Sequence, residues 1–422
     1  MNLKYAVIVV CFILCGCAPA VKIHQPEFSF EELLRKQGGI IDSVIKRSGD
    51  MNVQIIYTQI DRDEDGDPSF TDHFYNVDSG LYFYPASTVK LPIALLALEK
   101  LNDLKIDGLN RSSVMITDSA YNKQSVVYND PSSPNGAPTI EHYIKKIFLV
   151  SDNDAFNRLY EFLGREYINK RLHEMGYEDA EILHRLAIYM NQDENRHTNP
   201  VRFFDNAGKL LYSQAAQFDQ TIYEARIDST GSGYIGMGTD GKDSLINQPM
   251  NFSYKNRISL LSLHSILKSV YFPEMMPANK RFRLSNDDLR FVRKYMSMLP
   301  PESLSPVYDT SEYHNTYCKF LLFGAQKEKW PRSIRIFNKV GDAYGYLLDV
   351  AYVVDLDKKI EFMVSTAMYC NKDGILNDDK YDYKTIGLPF LKALGKVIYD
   401  HESSRKKKYL PDLEYLRFNY TK

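Results

Sequence analysis

Three short motifs in this chain pair residue types that can do chemistry. They occur in the order Ser87-Thr88-Val89-Lys90, Ser151-Asp152-Asn153 and Lys339-Val340-Gly341. A serine and a lysine three residues apart lie on one side of a helical turn, so the amine can take the hydroxyl proton and leave a nucleophile. Each motif alone is weak: Ser-x-x-Lys occurs five times and Lys-x-Gly three times, although Ser-Asp-Asn occurs once. Context selects among the copies. Tyr84 to Pro92 runs straight into a long apolar helical pattern, whose N-terminus adds positive potential beside Ser87. Lys339 precedes Gly341, Gly345 and Asp349 at the start of a hydrophobic strand pattern.

The elements that must position these residues are readable from periodicity. Phe30 to Arg47 has helical spacing, and Asn52 to Ile60 reads as a strand. The acidic loop Asp61–Asp67 and a second strand, His73 to Val77, suggest a hairpin. A helix is expected from Ser87 onward, then helices at about 140–150, 153–163 and 165–175, with Gly164 and Gly176 where C-caps belong. Residues 205–255 are polar and Gly-rich, and helical patterns resume at 258–270 and 286–298. Ile334 to Asn338, Leu347 to Val354 and Ile360 to Tyr369 read as strands, followed by a last helix at about 386–400. Strands at both ends with helices between predict an α+β fold. An antiparallel sheet built from both chain ends would be flanked by helices and interrupted by an inserted all-α subdomain. The α/β part would comprise 30–86 and 331–400, the helical part 87–330, an insertion about 205–255, and 401–422 a C-terminal tail, whose basic run Arg405 to Lys408 reads as a solvated tail or, in a lipid-anchored protein, as a contact to anionic headgroups.

The order and setting of the three motifs resemble the β-lactamase/penicillin-binding serine hydrolase superfamily, closest to its class A. The resemblance covers about residues 30 to 400 and implies the corresponding α+β fold. It also implies serine acyl transfer on a β-lactam or a D-Ala-D-Ala-type cell-wall peptide, without metal or organic cofactor. By resemblance Ser87 is the acylated nucleophile and Lys90 its base, while Ser151 passes a proton to the leaving nitrogen. Asn153 would hold the lysine and the substrate amide, and Lys339 would attract a substrate carboxylate. The backbone N–H groups of Ser87 and Asp342, the residue after Gly341, would form the oxyanion hole.

Two departures from the family bear on the outcome. Val340 replaces the hydroxyl residue of Lys-Thr-Gly, removing a hydrogen bond worth about 0.5–1.5 kcal/mol. Leu183-His184-Arg185-Leu186-Ala187 puts alanine where class A enzymes carry the deacylating glutamate, with His197-Thr198-Asn199-Pro200 resembling the end of that loop. Glu181, Asp193 and Glu194 are the candidate substitutes. Two rivals to a β-lactamase-like hydrolase therefore remain: a penicillin-binding D,D-peptidase-like enzyme that deacylates slowly, and an inactive envelope binding lipoprotein.

Composition bounds the rest. The 422 residues carry 52 Lys plus Arg against 54 Asp plus Glu, net charge -2, which gives no global electrostatic reason to bind nucleic acid. With 44% hydrophobic and 25% charged residues the chain is globular in composition. Three of the five cysteines, Cys11, Cys15 and Cys17, crowd the N-terminus. Lys4 and the apolar stretch Tyr5 to Cys15 read as a signal peptide, too short to span a membrane as a helix. Leu14-Cys15-Gly16-Cys17 resembles a bacterial lipobox. Residues 1–16 would then be removed and Cys17 lipidated, with 17–29 a tether, and the protein would be held at a membrane of the cell envelope, periplasmic or outer-membrane. The alternative is a plain secretory peptide cut after Ala18 or Ala20. Export would permit a Cys318–Cys370 disulfide, and free buried thiols are the other outcome.

Other patterns are decoys. Asp61, Asp63, Asp65, Gly66 and Asp72 have calcium-loop spacing but are flanked by strands, so a hairpin tip is expected. Gly231-x-Gly233-x-x-Gly236 opens no helix and reads as a loop. Lys384-Thr385-Ile386-Gly387 imitates Lys-Thr-Gly at the start of the last helix, and the nine histidines show no metal-ligand spacing.

Overall fold

The computed structural model describes residues 28–420 apart from 229, 242, 243 and 330. The export segment and Cys17 lie outside the described residues.

Five strands form one antiparallel sheet: β1 (Gln54–Arg62), β2 (Pro68–Tyr75), β3 (Ile334–Ala343), β4 (Tyr346–Asp355) and β5 (Ile360–Tyr369). Their spatial order is β3-β4-β5-β1-β2, so the two ends of the chain join where Gln54 to Gln59 pairs with Ala367 to Phe362. Every residue of β4 is buried because both faces of the sheet are covered. Leu347, Ala351 and Val353 point into one core with Phe390, Leu391, Leu394 and Ile398 of the last helix, while Leu348, Val350, Tyr352 and Val354 point into the other. The alternation follows from the two-residue period of a strand.

Among the described residues ten helices accompany the sheet, α1 (Phe30–Arg35) and α2 (Gly39–Ile45) at the start and α10 (Leu388–Ser404) at the end. The expected single helix over 30–47 is split at Gly39, whose φ of +65° turns the chain between α1 and α2. The helix α3 (Lys90–Asp103) is buried on every side and forms the axis of the helical part. Around it lie α4 (Ile140–Val150), α5 (Asn153–Leu163) and α6 (Arg165–Glu174), followed by α7 (Gln192–Arg196), α8 (Leu260–Tyr271) and α9 (Asn286–Ser297). Gly164 and Gly176 terminate helices with φ of +79° and +81°.

The inserted part is not wholly helical. Val114–Thr117, Val201–Phe204 and Leu210–Gln214 form a small antiparallel sheet, because Val201 to Phe204 alternates buried and half-buried residues in the strand manner. Within the 205–255 segment, Tyr234–Ile235 pairs with Met250–Asn251. Gly238–Asp240 pairs with Leu245–Ile246 and, in parallel, with Ile375–Leu376. The Gly231–Gly236 stretch opens no helix.

The final residues depart from the solvated tail expected for 401–422. Helix α10 continues to Ser404, and Leu413, Leu416, Phe418 and Tyr420 are buried in the main core. The Tyr420 hydroxyl lies 2.7 Å from Ser297 Oγ, and the Arg335 guanidinium covers the Tyr420 ring at 3.8 Å. The basic run is anchored by carboxylates: Arg405 pairs with Asp61 and Glu402, and Lys407 with Glu402 at 3.0 Å. Paired charges and four apolar anchors make docking cheaper than solvation.

The acidic loop is a hairpin tip between β1 and β2, with Asp63 Oδ1 accepting the backbone N–H groups of Asp65 and Asp67. Cys318 and Cys370 are both buried and unpaired.

Candidate active site

The local fold brings the three motifs to one point. Ser87 sits in a tight turn, Ala86–Val89, that feeds α3, so Lys90 at the first position of α3 lies one turn below it. Helix α4 ends at Ser151, which adopts a left-handed conformation (φ 60°, ψ 38°), and Asp152 immediately caps α5 by accepting the Ala155 N–H at 2.8 Å. The sharp joint aims Ser151 and Asn153 at Lys90. Strand β3 carries Lys339 at the edge of the sheet, beside the same turn.

Lys90 Nζ lies 2.8 Å from Ser87 Oγ, 2.7 Å from Asn153 Oδ1 and 3.2 Å from Ser151 Oγ, and it also donates to the Ser151 carbonyl. Lys339 Nζ donates to Ser151 Oγ and to the Val340 carbonyl, each at 2.8 Å. Both lysines are buried. Burial, and then the neighbouring charge of Lys339, push the Lys90 amine well below its ordinary range. Burial lowers Lys339 to about 8, against the opposing pull of Cys318 and Asp342. A hydroxyl held against an amine biased toward its neutral form is a serine poised to lose its proton.

Gly341 explains itself by close approach. A Cβ there would lie 2.9 Å from the Pro85 carbonyl and the Ser87 nitrogen and 3.0 Å from the Thr88 nitrogen. Only a glycine lets β3 press against the turn that carries Ser87. Val340 is buried, and Asp342 opens into the cleft. Burial by the surrounding walls raises the Asp342 carboxyl above the usual range, a shift opposed by Lys339 and Lys90.

Two cavities flank Ser87. One, of about 820 Å³, is bordered by Ser151, Asn153 and Asp342 and walled by Tyr313, Tyr317, Cys318 and Tyr383. The other, of about 350 Å³, is bordered by Asn153, Ala187, Asp342, Tyr344 and Tyr381. The 313–326 wall had no signal in the sequence, since no motif marks it. Its attachment is a buried network: Lys319 Nζ donates to Asn338 Oδ1 at 2.6 Å, and Asn338 Nδ2 donates to Asp349 Oδ1 at 2.7 Å. Asp349 also accepts the Leu321 N–H at 3.0 Å, so the wall is tied to β3 and β4 directly beneath Lys339. Lys384, set aside as a decoy, stands on the rim of the larger cavity, in a wide turn (Tyr383–Gly387) before α10.

The loop after α6 approaches Ser87 from the other side. Asn157 of α5 clasps it: its Nδ2 donates to the Leu186 carbonyl at 3.0 Å, and its Oδ1 accepts the Leu186 N–H at 2.9 Å. Arg185 is anchored by the buried carboxylate of Glu161 at 2.5 Å and 2.9 Å. Ala187 borders the Ser87 recess, and the residues clasped there offer no acid. The three candidate substitutes are engaged elsewhere. Glu181 pairs with Arg226 at 2.6 Å, Asp193 accepts the Tyr121 hydroxyl at 2.6 Å, and Glu194 caps α7 and pairs with Lys123 at 3.0 Å. The carboxylates lining the two cavities are Asp152, Asp342 and Asp379.

Residues 39–225 match the sequence profile of the β-lactamase enzyme family. Among curated proteins, none matches the chain. Similar solved structures include a class A β-lactamase from Clostridium kluyveri DSM 555, with 16% identity, 85% of this chain and 97% of that one covered, and a TM-score of 0.46. A β-lactamase from Chitinophaga pinensis DSM 2588 aligns with 13% identity over 86% of this chain and 99% of that one, with a TM-score of 0.45. Over residues 39–225, less than half of its length, the chain is therefore β-lactamase-like in sequence.

Proposed function

We propose that this protein is a serine acyl-transfer enzyme that forms an acyl-enzyme through Ser87 with a β-lactam or a D-Ala-D-Ala-type peptide. The observation that carries the reading is the 2.8 Å contact between Ser87 Oγ and the buried, neutral-leaning Lys90 amine. In this mechanism Lys90 takes the Ser87 proton as Oγ attacks the carbonyl carbon. The developing oxyanion is held by the N–H groups of Ser87 and Asp342. Collapse breaks the C–N bond, and the nitrogen leaves with the Ser151 proton, which is replaced from the lysine pair. Asn153 keeps Lys90 aimed, and Lys339 supplies positive field for a substrate carboxylate.

Release of the acyl group needs a base for the attacking water. With Leu186 and Ala187 at the clasped loop, and with Glu181, Asp193 and Glu194 engaged elsewhere, slow deacylation is favoured over rapid hydrolysis. The penicillin-binding, D,D-peptidase-like form of the reaction is therefore the preferred reading. Fluorescent penicillin with intact-mass detection, Ser87→Ala as control, tests it. A long-lived Ser87 adduct is expected. No Ser87-dependent adduct and no turnover would leave a binding lipoprotein, and rapid nitrocefin turnover would show that the missing glutamate is compensated.

We further propose that Cys17 is the lipidated mature N-terminus and places the site in the cell envelope, on the strength of Leu14-Cys15-Gly16-Cys17. Labelling of the full-length protein with an alkyne fatty acid, lost in Cys17→Ser, is the expected result. Label-free secreted protein would support simple cleavage instead.

A further inference from the structure

A third cavity, of about 740 Å³, lies against the 183–196 loop. It is roofed by the inserted segment through Thr221–Tyr223 and Asn251–Lys255. Four cationic side chains line it, Arg165, Arg185, Arg196 and Lys255, against one carboxylate, Asp193. The arginines have protein partners: Arg165 pairs with Asp219, Arg185 with Glu161, and Arg196 donates to the Asp219 carbonyl at 2.7 Å. Lys255 differs. Among the described residues no carboxylate pairs with it, and it lies over the Tyr344 ring at 5.6 Å, with burial lowering its amine. An unpaired cation in a walled chamber attracts an anion more strongly than one in open solvent.

The chamber meets the Ser87 recess at a shared border of Tyr84, Ala187 and Tyr344. Tyr84 and Tyr344 are packed edge to face at 5.1 Å, and Phe252 closes the cluster at 5.3 Å from Tyr344. The border side chain from the loop is the small Ala187. A group attached to an acyl carbon on Ser87 therefore meets an aromatic threshold and, beyond it, a cationic chamber.

We infer that this chamber receives a carboxylate-terminated acyl arm of the substrate, with Lys255 as its counter-ion. The inference builds on the acyl-transfer reading of Ser87 and names the substrate class that reading leaves open. It gives the insertion a role, since Lys255 and the Asn251–Tyr254 wall belong to it or adjoin it.

The test uses Ser87→Ala protein and two lactam-free probes, glutaric acid monoanilide and the uncharged valeric acid anilide, titrated by calorimetry. The carboxylate probe should bind about tenfold more tightly, the scale of one charged contact. The preference should vanish in Lys255→Met and persist in Lys255→Arg, with unchanged circular dichroism spectra showing both variants folded. Equal binding of the two probes, absence of saturable binding, or a preference that survives in Lys255→Met would overturn the inference. Penicillin labelling of the wild-type protein is read separately. An adduct without the probe preference overturns the chamber assignment alone. The preference without an adduct upholds the anion-binding chamber and overturns the acyl-transfer reading.

Discussion

Lys90 and Lys339 converge on a single hydroxyl, with their Nζ atoms 3.2 Å and 2.8 Å from Ser151 Oγ. Two buried ammonium groups this close repel, so the pair is driven to hold fewer protons than two exposed lysines would. The three motifs are thereby one electrostatic unit, although Lys90 and Lys339 are 249 positions apart in the chain.

The rate of acylation should follow that unit through pH. Lys90, lowered well below the ordinary lysine range, gains base strength in the population as pH rises and it sheds its proton. Lys339 is lowered to about 8, so its charge is present below that pH and lost above it. The expected profile of adduct formation is a bell whose alkaline limb falls near pH 8, measured by quenched-flow mass spectrometry. A limb near pH 10.4, the free-lysine value, would show that Lys339 is not the group required in charged form.

Gly341→Ala should separate the strand from the nucleophile. Its new Cβ would meet three backbone atoms at 3.0 Å or less, none of which can rotate away. A stability loss of about 1–3 kcal/mol is expected from overpacking. Displacement of β3 from Ser87 should slow adduct formation by about 10²-fold. Denaturant unfolding and labelling rates check the two effects independently.

Ala187→Glu should shorten the life of the acyl-enzyme. Ala187 already holds a positive φ of 56°, and it borders the Ser87 recess. A carboxylate there can serve as base for water, so decay of the adduct should speed by about 10²-fold or more. Asn157→Leu in the same background should cancel the gain, because it releases the Leu186 clasp that aims the loop. Both are read as adduct decay by intact mass.

Leu416→Ala should destabilise the whole domain. Its side chain is fully buried in the main core, so the cavity should cost about 2–5 kcal/mol in chemical denaturation. A change below about 0.5 kcal/mol, the surface range, would mean that the last residues do not pack as described.

Much of the fold was legible in the sequence because it depends on local pattern. The 140–150, 153–163 and 286–298 helices carry their own caps, with Thr139, Asp152 and Ser285 each accepting a backbone N–H of the first turn. The C-terminal strands were visible as apolar runs, though β3 extends to Ala343. Extension past Asn338 rests on pairing with β4, where Lys339 to Ala343 face Val350 to Tyr346. The last residues misled because the basic run gave no hint that Glu402 and Asp61 would neutralise it.

The sequence alone determined which chemistry the chain can attempt. Ser87 and Lys90 are one turn apart by helix geometry, and the residue types of the other two motifs come with their own order. Only the tertiary structure decided what surrounds them. The Tyr313–Tyr317 wall, the Asn157 clasp on Leu186 and the cationic chamber with Lys255 all join segments far apart in the chain. Such contacts form because buried polar groups must find partners wherever the packed core brings them, and no spacing rule along one strand or helix encodes that meeting.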